Sequence, residues 1–343
     1  MKKTRAILYA ILAAAFYVIN IPASKMLLEY VGPLSMAALL YLGAGIGIGI
    51  MSLFGKKEKR KRLDKKDLPF VIGMIVLDIA APILLMLGIS LGTSANTSLL
   101  GNFEIVATAM IALMIFKEAV SKRLWLAITL ITLSSILLSF EGTESFRFSY
   151  ASLLVVAATV CWGFENNCTR KISSKSTYEI VVLKGIFSGL GSLIIALIKR
   201  EAIPQFIYIV LALLLGFVAY GLSIFLYVRA QNTLGAAKTS AYYAIAPFIG
   251  AALSFVFLKE KLTWTYFFAL TVMIVGTVFV IIDTLVRNHV HVHTHTFTHT
   301  HDGSTHTHTV THSHAHDHIV TDDKHGHHHT HAELEKLPGA VHQ

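Results

Sequence analysis

The sequence predicts an all-α integral membrane protein of ten transmembrane helices, followed by a disordered C-terminal tail. Apolar stretches of about 20 residues recur through the first 288 residues, and each is long enough to cross a hydrocarbon core of roughly 30 Å. All 18 histidines lie at or after His289, and the preceding residues contain none. The composition, 54% hydrophobic and 14% charged, is that of a membrane protein and not of a soluble domain.

The apolar stretches place the ten helices near residues 5–28, 33–54, 68–90, 94–116, 124–140, 150–169, 177–198, 206–229, 236–258 and 264–286. The first stretch is longer than the core of a secretory signal, which predicts an uncleaved first helix. Cys161 and Cys168 lie seven apart in one helix, about 10.5 Å along its axis. This is too far for a disulfide between them.

The distribution of lysine and arginine predicts the orientation. With the N-terminus in the cytoplasm, and with Lys25, Lys184 and the distal tail left aside, 20 basic residues fall on the inner side and 5 on the outer side. The densest basic run, 56–66, lies between two apolar spans and is expected to be an inner loop. We therefore predict a multi-pass protein of the cytoplasmic (inner) membrane with both termini cytoplasmic. This explains the net charge of +9 without a nucleic-acid partner.

The two halves of the body repeat at an offset of 142 residues. At this offset Ala95–Ser98 falls on Ala237–Ser240, Lys117-Glu118 falls on Lys259-Glu260, and Asp78 falls on Tyr220. Asp78 and Tyr220 are predicted to point into a cavity at equivalent depth. The repeats are 1–145 and 146–288, and the tail is 289–343.

Each repeat has five spans, an odd number, so the second enters the membrane upside down relative to the first. Inverted repeats are typical of secondary transporters, whose substrate site lies near the midplane. A duplicated helical bundle without transport function is the alternative.

The Lys-Glu steps and the five-plus-five organisation resemble the drug/metabolite transporter superfamily, EamA type, over residues 5–286. Further segments resemble a subgroup with a His-rich C-terminus: Leu100–Glu104, Cys161–Arg170, Leu183–Gly185 and Tyr243–Phe248. That subgroup has Asp at the position of Glu165 and an apolar residue at that of Cys168. The resemblance implies a central cavity lined mostly by helices 1, 3, 4, 6, 8 and 9, and export of small metabolites by many members.

Polar residues within the spans are the candidate substrate or coupling-ion residues. They are Asn20, Asp78, Asn102, Glu104, Glu165, Asn166, Lys184, Tyr220 and Tyr243. Charges at this depth are costly and normally face the bundle interior. Three carboxylates against one lysine leave an excess of carboxylate, which suits a proton-coupled carrier. An ion-pair network that only holds helices together, for instance Lys184 with Glu165 or Glu104, is the alternative. Tyr17, Trp162, Tyr227 and Tyr242 could also line a cavity or pack between helices.

Cys161, Glu165 and Cys168 share one helix face, because spacings of four and seven return to the same side. Thiolate and carboxylate could hold Zn²⁺ there. The alternative is that both cysteines are small core residues.

The tail alternates histidine with threonine, valine and serine. Its candidate ligands for Ni²⁺, Co²⁺, Zn²⁺ or Cu²⁺ are His289, His291, His293, His295, His299, His301, His306, His308, His312, His314, His316, His318, His327, His328, His329 and His331. Few apolar residues predict that the tail is disordered without metal. A low-complexity expansion without function and a pH-sensing segment are the alternatives.

These patterns predict a secondary transporter and not an enzyme. We expect a proton-coupled exporter of small metabolites or of transition-metal ions, with a metal-binding cytoplasmic tail and no required cofactor. A membrane-anchored metal buffer or sensor without transport is the alternative. No nucleotide-binding motif is present, which argues against ATP-driven transport by this chain itself. The expected partners are the lipid bilayer and a small-molecule or metal-ion substrate, and a homodimer is left open.

Overall fold

The computed structural model describes residues 2–54, 61–116, 121–138, 140–141, 147–234, 239, 242–259, 263–301 and 304–319. Some predicted features lie outside these residues: part of the basic loop (56–60), Lys117, Glu118, Lys238, Ser240, Glu260 and the tail ligands His327, His328, His329 and His331. The chain divides into two compact units, Met1–Ile281 and Ile282–Gln343.

The first unit is built from helices. In the first half these are α1 (Lys2–Val18), α2 (Asn20–Leu27), α3 (Pro33–Phe54), α4 (Leu68–Leu91), α5 (Ser94–Leu100), α6 (Phe103–Phe116) and α7 (Lys122–Leu138). In the second half they are α8 (Tyr150–Ile172), α9 (Thr177–Ile198), α10 (Phe206–Leu215), a π-helical segment (Gly216–Leu222), α11 (Ser223–Leu234), α12 (Ala246–Leu258) and α13 (Trp264–Leu285). The last of these continues into the second unit.

Six helical segments among the described residues are long and apolar enough to cross a membrane. They are Thr4–Leu27, Pro33–Phe54, Leu68–Leu91, Thr177–Ile198, Phe206–Ala230 and Trp264–Asp283. The helices in the other four predicted spans are shorter, interrupted or more polar. Large side chains are exposed on the outside of the bundle, such as Phe206 (80%) and Trp264 (90%). Such a surface is unfavourable in water and is expected in lipid.

The prediction of an all-α body needs a small correction. Between α7 and α8, Phe140–Glu141 (β1) and Arg147–Phe148 (β2) pair as two short antiparallel strands. The predicted fifth span ran to residue 140, whereas α7 ends at Leu138. The two strands bring the end of one half close to the start of the next. The sequence indicated only a loop at this place.

Glycines bring α3 and α9 into close contact. A Cβ placed on Gly185 would lie 2.3 Å from the backbone nitrogen of Gly45, so neither helix tolerates a larger residue at this crossing. The glycines also repeat between the two halves at the predicted offset of 142 residues. Gly43, Gly47 and Gly49 of α3 correspond to Gly185, Gly189 and Gly191 of α9. The second helices of the two halves therefore share their small-residue pattern and pack against each other.

Two helices are interrupted at corresponding positions of the two halves. Gly101 and Asn102 separate α5 from α6, and Ala244 and Ile245 form a turn before α12. Asn102 and Ala244 are 142 residues apart. Paired interruptions of this kind are a good indicator of a binding site in proteins built from inverted repeats, because they release backbone groups near the midplane.

Polar contacts connect the loops at one end of the bundle. Lys175, between α8 and α9, lies 3.0 Å from Oδ2 of Asp64 and 2.8 Å from Oδ2 of Asp67, before α4. Hydrogen bonding to Lys175 lowers the pKa of both aspartates. The backbone N–H of Leu63 donates to Oε2 of Glu179 at 3.0 Å. These contacts join the two halves outside the membrane-spanning segments.

The second unit contains a long antiparallel ribbon. Val286–His301 (β3) pairs with Ser304–Ile319 (β4), in a register that sets His289 opposite His316 and His299 opposite His306. The structure here differs from the predicted disordered tail. The alternation of histidine with valine and threonine has the two-residue period of a strand, and β-branched residues favour strands.

Candidate functional site

A buried lysine holds two carboxylates together in the middle of the bundle. Nζ of Lys184 on α9 lies 3.1 Å from Oδ2 of Asp78 on α4 and 2.9 Å from Oε1 of Glu165 on α8. All three side chains are at least nine-tenths buried. An isolated charge at this depth would cost several kcal/mol, so mutual pairing is what allows these side chains to remain there. The cluster joins three helices drawn from both halves.

Neighbouring hydroxyls orient the two carboxylates. The Tyr41 hydroxyl on α3 donates to Oδ1 of Asp78 at 2.8 Å. The Thr169 hydroxyl, one turn beyond Glu165 on α8, donates to Oε1 of Glu165. Pro82 lies four residues after Asp78 and has no N–H, so α4 lacks the usual hydrogen bond to the Asp78 carbonyl. Asp78 therefore sits at a locally weakened turn of its helix.

Glu104 is the third carboxylate and has a different environment. It lies in the first turn of α6, directly after the interruption at Gly101 and Asn102, where the helix N-terminus favours negative charge. Its Oε1 accepts a hydrogen bond of 2.6 Å from the Asn166 side-chain amide on α8. In the described part of the chain, no Lys or Arg lies within ion-pair distance of Glu104. Among the described side chains, Glu104 thus has a polar partner but no cation.

Tyrosine rings form a continuous arc beside these charges. Ring centroids are 5.2 Å apart for Tyr41 and Tyr220, and 6.1 Å for Tyr220 and Tyr17. They are 5.7 Å apart for Tyr17 and Tyr243, and 5.1 Å for Tyr243 and Tyr227. These separations are typical of interacting aromatic pairs. Tyr220 belongs to the π-helical segment, an irregularity that often occurs at functional sites.

The charged and aromatic groups enclose one cavity. Its volume is about 100 Å³, counted as the space that the centre of a water molecule can occupy. This is room for several waters or one small organic molecule. The walls are Tyr17, Tyr41, Glu104, Trp162, Glu165, Asn166, Thr169, Lys184, Tyr220, Ser223, Ile224, Tyr227, Val228 and Tyr243. Both halves of the chain contribute. The cavity is therefore the natural candidate for a binding site.

Six of the nine predicted site residues line the cavity: Glu104, Glu165, Asn166, Lys184, Tyr220 and Tyr243. Asp78 and Tyr220 are both predicted to point into the cavity, but only Tyr220 lines it. Asp78 is fully buried and contacts the cavity through Tyr41 and Lys184, both of which line it. The resemblance implied a lining mostly by helices 1, 3, 4, 6, 8 and 9. In the structure the second and seventh spans also line the cavity, through Tyr41 and Lys184. The third span contributes only through the contacts of Asp78 with these two residues.

The remaining two predicted residues lie outside the walls. The Asn20 amide donates to the Tyr220 hydroxyl at 3.2 Å and therefore positions a lining ring. Asn102 is 1% exposed at the interruption between α5 and α6. Neither polar atom of its side chain has a hydrogen-bond partner among the described residues.

The proposed Cys161–Glu165–Cys168 metal site does not form. Both thiols are free, half-buried and absent from the cavity walls, while Glu165 is paired with Lys184. Cys161 packs against the main apolar core, and Cys168 packs against a second cluster that includes Ile172. Within the described residues, no group of three or more His, Cys, Asp or Glu side chains could hold a metal ion. The alternative interpretation, small core residues, accounts for the contacts of both cysteines.

Five lining residues were not predicted: the apolar Ile224 and Val228, and the polar Tyr41, Thr169 and Ser223. Thr169 could have been found, because it lies four residues after Glu165 on the same helix face. Ser223 donates to the carbonyl oxygen of Ala13 at 2.8 Å, a contact across the two halves that the sequence does not reveal. Tyr41 lies in the glycine-rich second span (33–54), which contains no charged residue that would mark it as part of a site.

Comparison with known proteins agrees with this architecture. The EamA-like transporter family model matches residues 4–140 and again residues 149–282. An uncharacterized transporter of Methanothermobacter thermautotrophicus is 24% identical over 276 residues, which cover 73% of this chain and 78% of that protein. The uncharacterized transporter YyaM of Bacillus subtilis is 23% identical over 251 residues, which cover 68% of this chain and 79% of YyaM.

A protein of known crystal structure shares the fold, with a TM-score of 0.60 at 15% identity. The match covers 80% of this chain and 94% of that one. The family model matches most of the chain. It covers the described helices that are long and apolar enough to span a membrane, except for the last residue of the final one, Asp283. The chain is therefore a multi-pass membrane transporter and not an enzyme, and it belongs to the EamA-like transporter family.

Proposed function

We propose that this chain is a proton-coupled secondary transporter that exports a small metabolite through the cavity between its two halves. The observation that carries the proposal is the position of Glu104. In the described part of the chain, this carboxylate has no cation partner and faces an aromatic cavity. It lies next to a lysine whose charge is already shared by two other carboxylates. The cavity thus combines a surface for an organic molecule with a group able to take up a proton.

The predicted inverted repeat of ten spans is consistent with this mechanism. The glycine pattern of α3 recurs in α9, and interruptions occur at Asn102 and at Ala244, 142 residues apart. In transporters of this architecture, rocking of one half against the other exposes a central site alternately to the two sides. The polar contacts around Lys175 lie between the two halves and would have to change or move with them.

Protons are the coupling ions that the charges favour. Asp78, Glu104 and Glu165 carry three potential negative charges against the single positive charge of Lys184. A carboxylate in largely aromatic surroundings and without a cation is a good proton acceptor. Glu104 fits this description best, and Asp78 follows because its ion pair is shared with Glu165. Proton uptake at either group would change the charge of the cavity during the cycle.

A small metabolite fits the cavity better than a transition-metal ion. The wall residues that the structure describes include no histidine and no cysteine, the side chains that bind most transition metals in proteins. Six aromatic rings and several hydroxyl and amide groups instead match an organic molecule. The membrane is proposed to be the cytoplasmic one, with both termini inside, on the distribution of lysine and arginine described above.

The tail is proposed to bind Ni²⁺, Co²⁺, Zn²⁺ or Cu²⁺ in the cytoplasm. The register of β3 and β4 supports this proposal. It places four pairs of histidines in opposite positions: His289 with His316, His291 with His314, His293 with His312, and His299 with His306. Imidazole suits all four metals. A metal buffer or sensor without transport is the competing function, and it predicts that the cavity residues have no role.

Reconstitution tests the proposal directly. Purified full-length protein in liposomes is loaded with a mixed metabolite extract, and efflux is followed by mass spectrometry with and without an imposed proton gradient. We expect selective efflux that depends on the gradient and that fails in Glu104→Gln. A parallel assay with Ni²⁺, Co²⁺ and Zn²⁺ covers metal transport. The proposal would be contradicted by efflux that does not depend on the gradient, or by equal efflux from loaded liposomes that contain no protein.

A further inference from the structure

We propose that the cavity selects small organic ammonium ions, with the Glu104 carboxylate as the counter-ion and the tyrosine arc as the wall. This inference rests on the proposed transport function and names its substrate class. It is carried by three observations on the same cavity: its charge, its aromatic lining and the orientation of its polar groups.

The charge of the cavity excludes anionic cargo. Among the described residues that line the cavity, Lys184 is the one lysine or arginine, and Asp78 and Glu165 already hold its ammonium at 3.1 Å and 2.9 Å. A phosphate or carboxylate entering the cavity would compete with two built-in carboxylates for one cation. It would also approach Glu104, which repels it. A positively charged ligand is attracted instead, because the Glu104 carboxylate can form an ion pair with it.

The aromatic arc favours the same ligand. The faces of tyrosine and tryptophan rings attract cations within about 6 Å of the ring centroid. Tyr17 is in ring contact with both Tyr220 and Tyr243, so a cation between these rings would meet more than one of them. Trp162 lines the same cavity as Glu104. No cation of the protein lies on these three tyrosines in the described part of the chain, since the cation–π contacts found there involve Arg229 with Tyr178 and Phe225.

The geometry around Glu104 leaves it available. Asn166 donates one short hydrogen bond of 2.6 Å to Oε1, which orients the carboxylate without neutralising it. The N-terminal turn of α6 stabilises its negative charge further. A protonated amine can donate several hydrogen bonds to the carboxylate and to hydroxyls of the wall while its hydrocarbon part contacts the rings. A bare metal ion would lack most of these contacts.

A matched ligand series tests the charge preference on the unmodified full-length protein. Phenethylamine, phenylalanine and phenylpropionate share one ring and carry a positive, a zwitterionic and a negative charge. Calorimetric titration in detergent at neutral pH should show phenethylamine binding at least tenfold more tightly than either of the others. Equal binding of the three, tightest binding of phenylpropionate or phenylalanine, or no binding of phenethylamine at millimolar concentration would overturn the proposal.

Variants then identify the groups responsible. Glu104→Gln should weaken phenethylamine binding at least tenfold, while Glu29→Gln, an exposed control at the end of the first span, should leave it unchanged. Tyr17→Leu should weaken binding severalfold and Tyr17→Phe should not, because the ring and not the hydroxyl contacts the cation. If Glu104→Gln and Tyr17→Leu both bind phenethylamine as the parent does, the proposal is wrong.

The outcome can be separated from that of the transport proposal. Gradient-driven efflux of an anionic or zwitterionic metabolite that is blocked by Tyr17→Leu would refute ammonium selection and preserve transport through this cavity. Selective binding of phenethylamine without efflux of any compound would support the ammonium site and contradict transport.

Discussion

Asp78 and Lys184 form an ion pair of 3.1 Å between α4 and α9, and both side chains are almost entirely buried. The same lysine is 2.9 Å from Glu165 on α8. One cation thus connects a helix of the first half to two helices of the second. The cluster is at once a structural junction and part of the cavity wall.

This sharing predicts an order of stability effects. Lys184→Met should destabilise the protein most, because it leaves two buried carboxylates unneutralised. Removing one partner of a buried pair costs about 3–5 kcal/mol. Asp78→Asn and Glu165→Gln should each cost less, since Lys184 keeps one carboxylate. Thermal unfolding in detergent of the three single variants measures this order, and a smaller loss for Lys184→Met than for either acid variant would contradict it.

The carboxylate variants should separate proton coupling from substrate exchange. Asp78→Asn and Glu104→Gln keep the shape of the side chain and remove its proton-binding site. We expect Glu104→Gln, and Asp78→Asn if it shares the role, to lose transport against a gradient by tenfold or more. At saturating substrate the same variant should retain counterflow exchange, because exchange needs no net proton movement. Proteoliposomes of each variant provide both readouts. If both variants pump at the parent rate, neither group carries the coupling proton.

The contact between Gly45 and Gly185 should tolerate no side chain. Gly185→Leu would place its Cβ 2.3 Å from the Gly45 nitrogen, which forces α3 and α9 apart. We expect the free energy of unfolding to fall by about 1–3 kcal/mol, the usual range for overpacking. We also expect little monodisperse protein in detergent. Gly49→Leu on α3 is the matched control, because the nearest atom to its Cβ is 3.9 Å away. Similar behaviour of the two variants in size-exclusion chromatography would disprove the packing argument.

Topology reporters test the ten-span arrangement. Fusions after Lys66 and Gln343 should report the cytoplasm, and a fusion after Arg147 should report the opposite side. The expectation follows from the excess of lysine and arginine on the inner side. A reporter at residue 147 on the same side as the other two would contradict the arrangement in which each half has five spans.

Truncation before His289 should separate metal binding from transport. The full-length protein should retain more than one equivalent of Ni²⁺ or Zn²⁺ at pH 7.5 in equilibrium dialysis, and the truncated protein should retain little. Below about pH 5.5 most of the metal should leave, because protons compete for imidazole, which usually titrates near 6.5. The truncated protein should still transport. Equal metal retention by both proteins would rule out the tail as the binding segment.

The sequence by itself determined the main outline of the fold. The relevant signals are local or repetitive patterns: apolar stretches long enough to cross a membrane, the offset of 142 residues and the recurrent glycines. They are readable because each follows from backbone hydrogen bonding in lipid and from close helix packing. The carboxylates and the lysine were also evident, since a charge inside an apolar span stands out against its neighbours.

Only the tertiary structure decided which of these residues meet. The sequence left Lys184 open to pair with Glu165 or Glu104, and the structure pairs it with Glu165 and Asp78, while Glu104 stays beside a neutral amide. Likewise, Cys161 and Cys168 share a helix face but pack into apolar clusters. Helix periodicity specifies the face of a residue and not the helix opposite that face. The partner of each charge depends on how helices distant in sequence cross, and this is set by packing over the whole bundle.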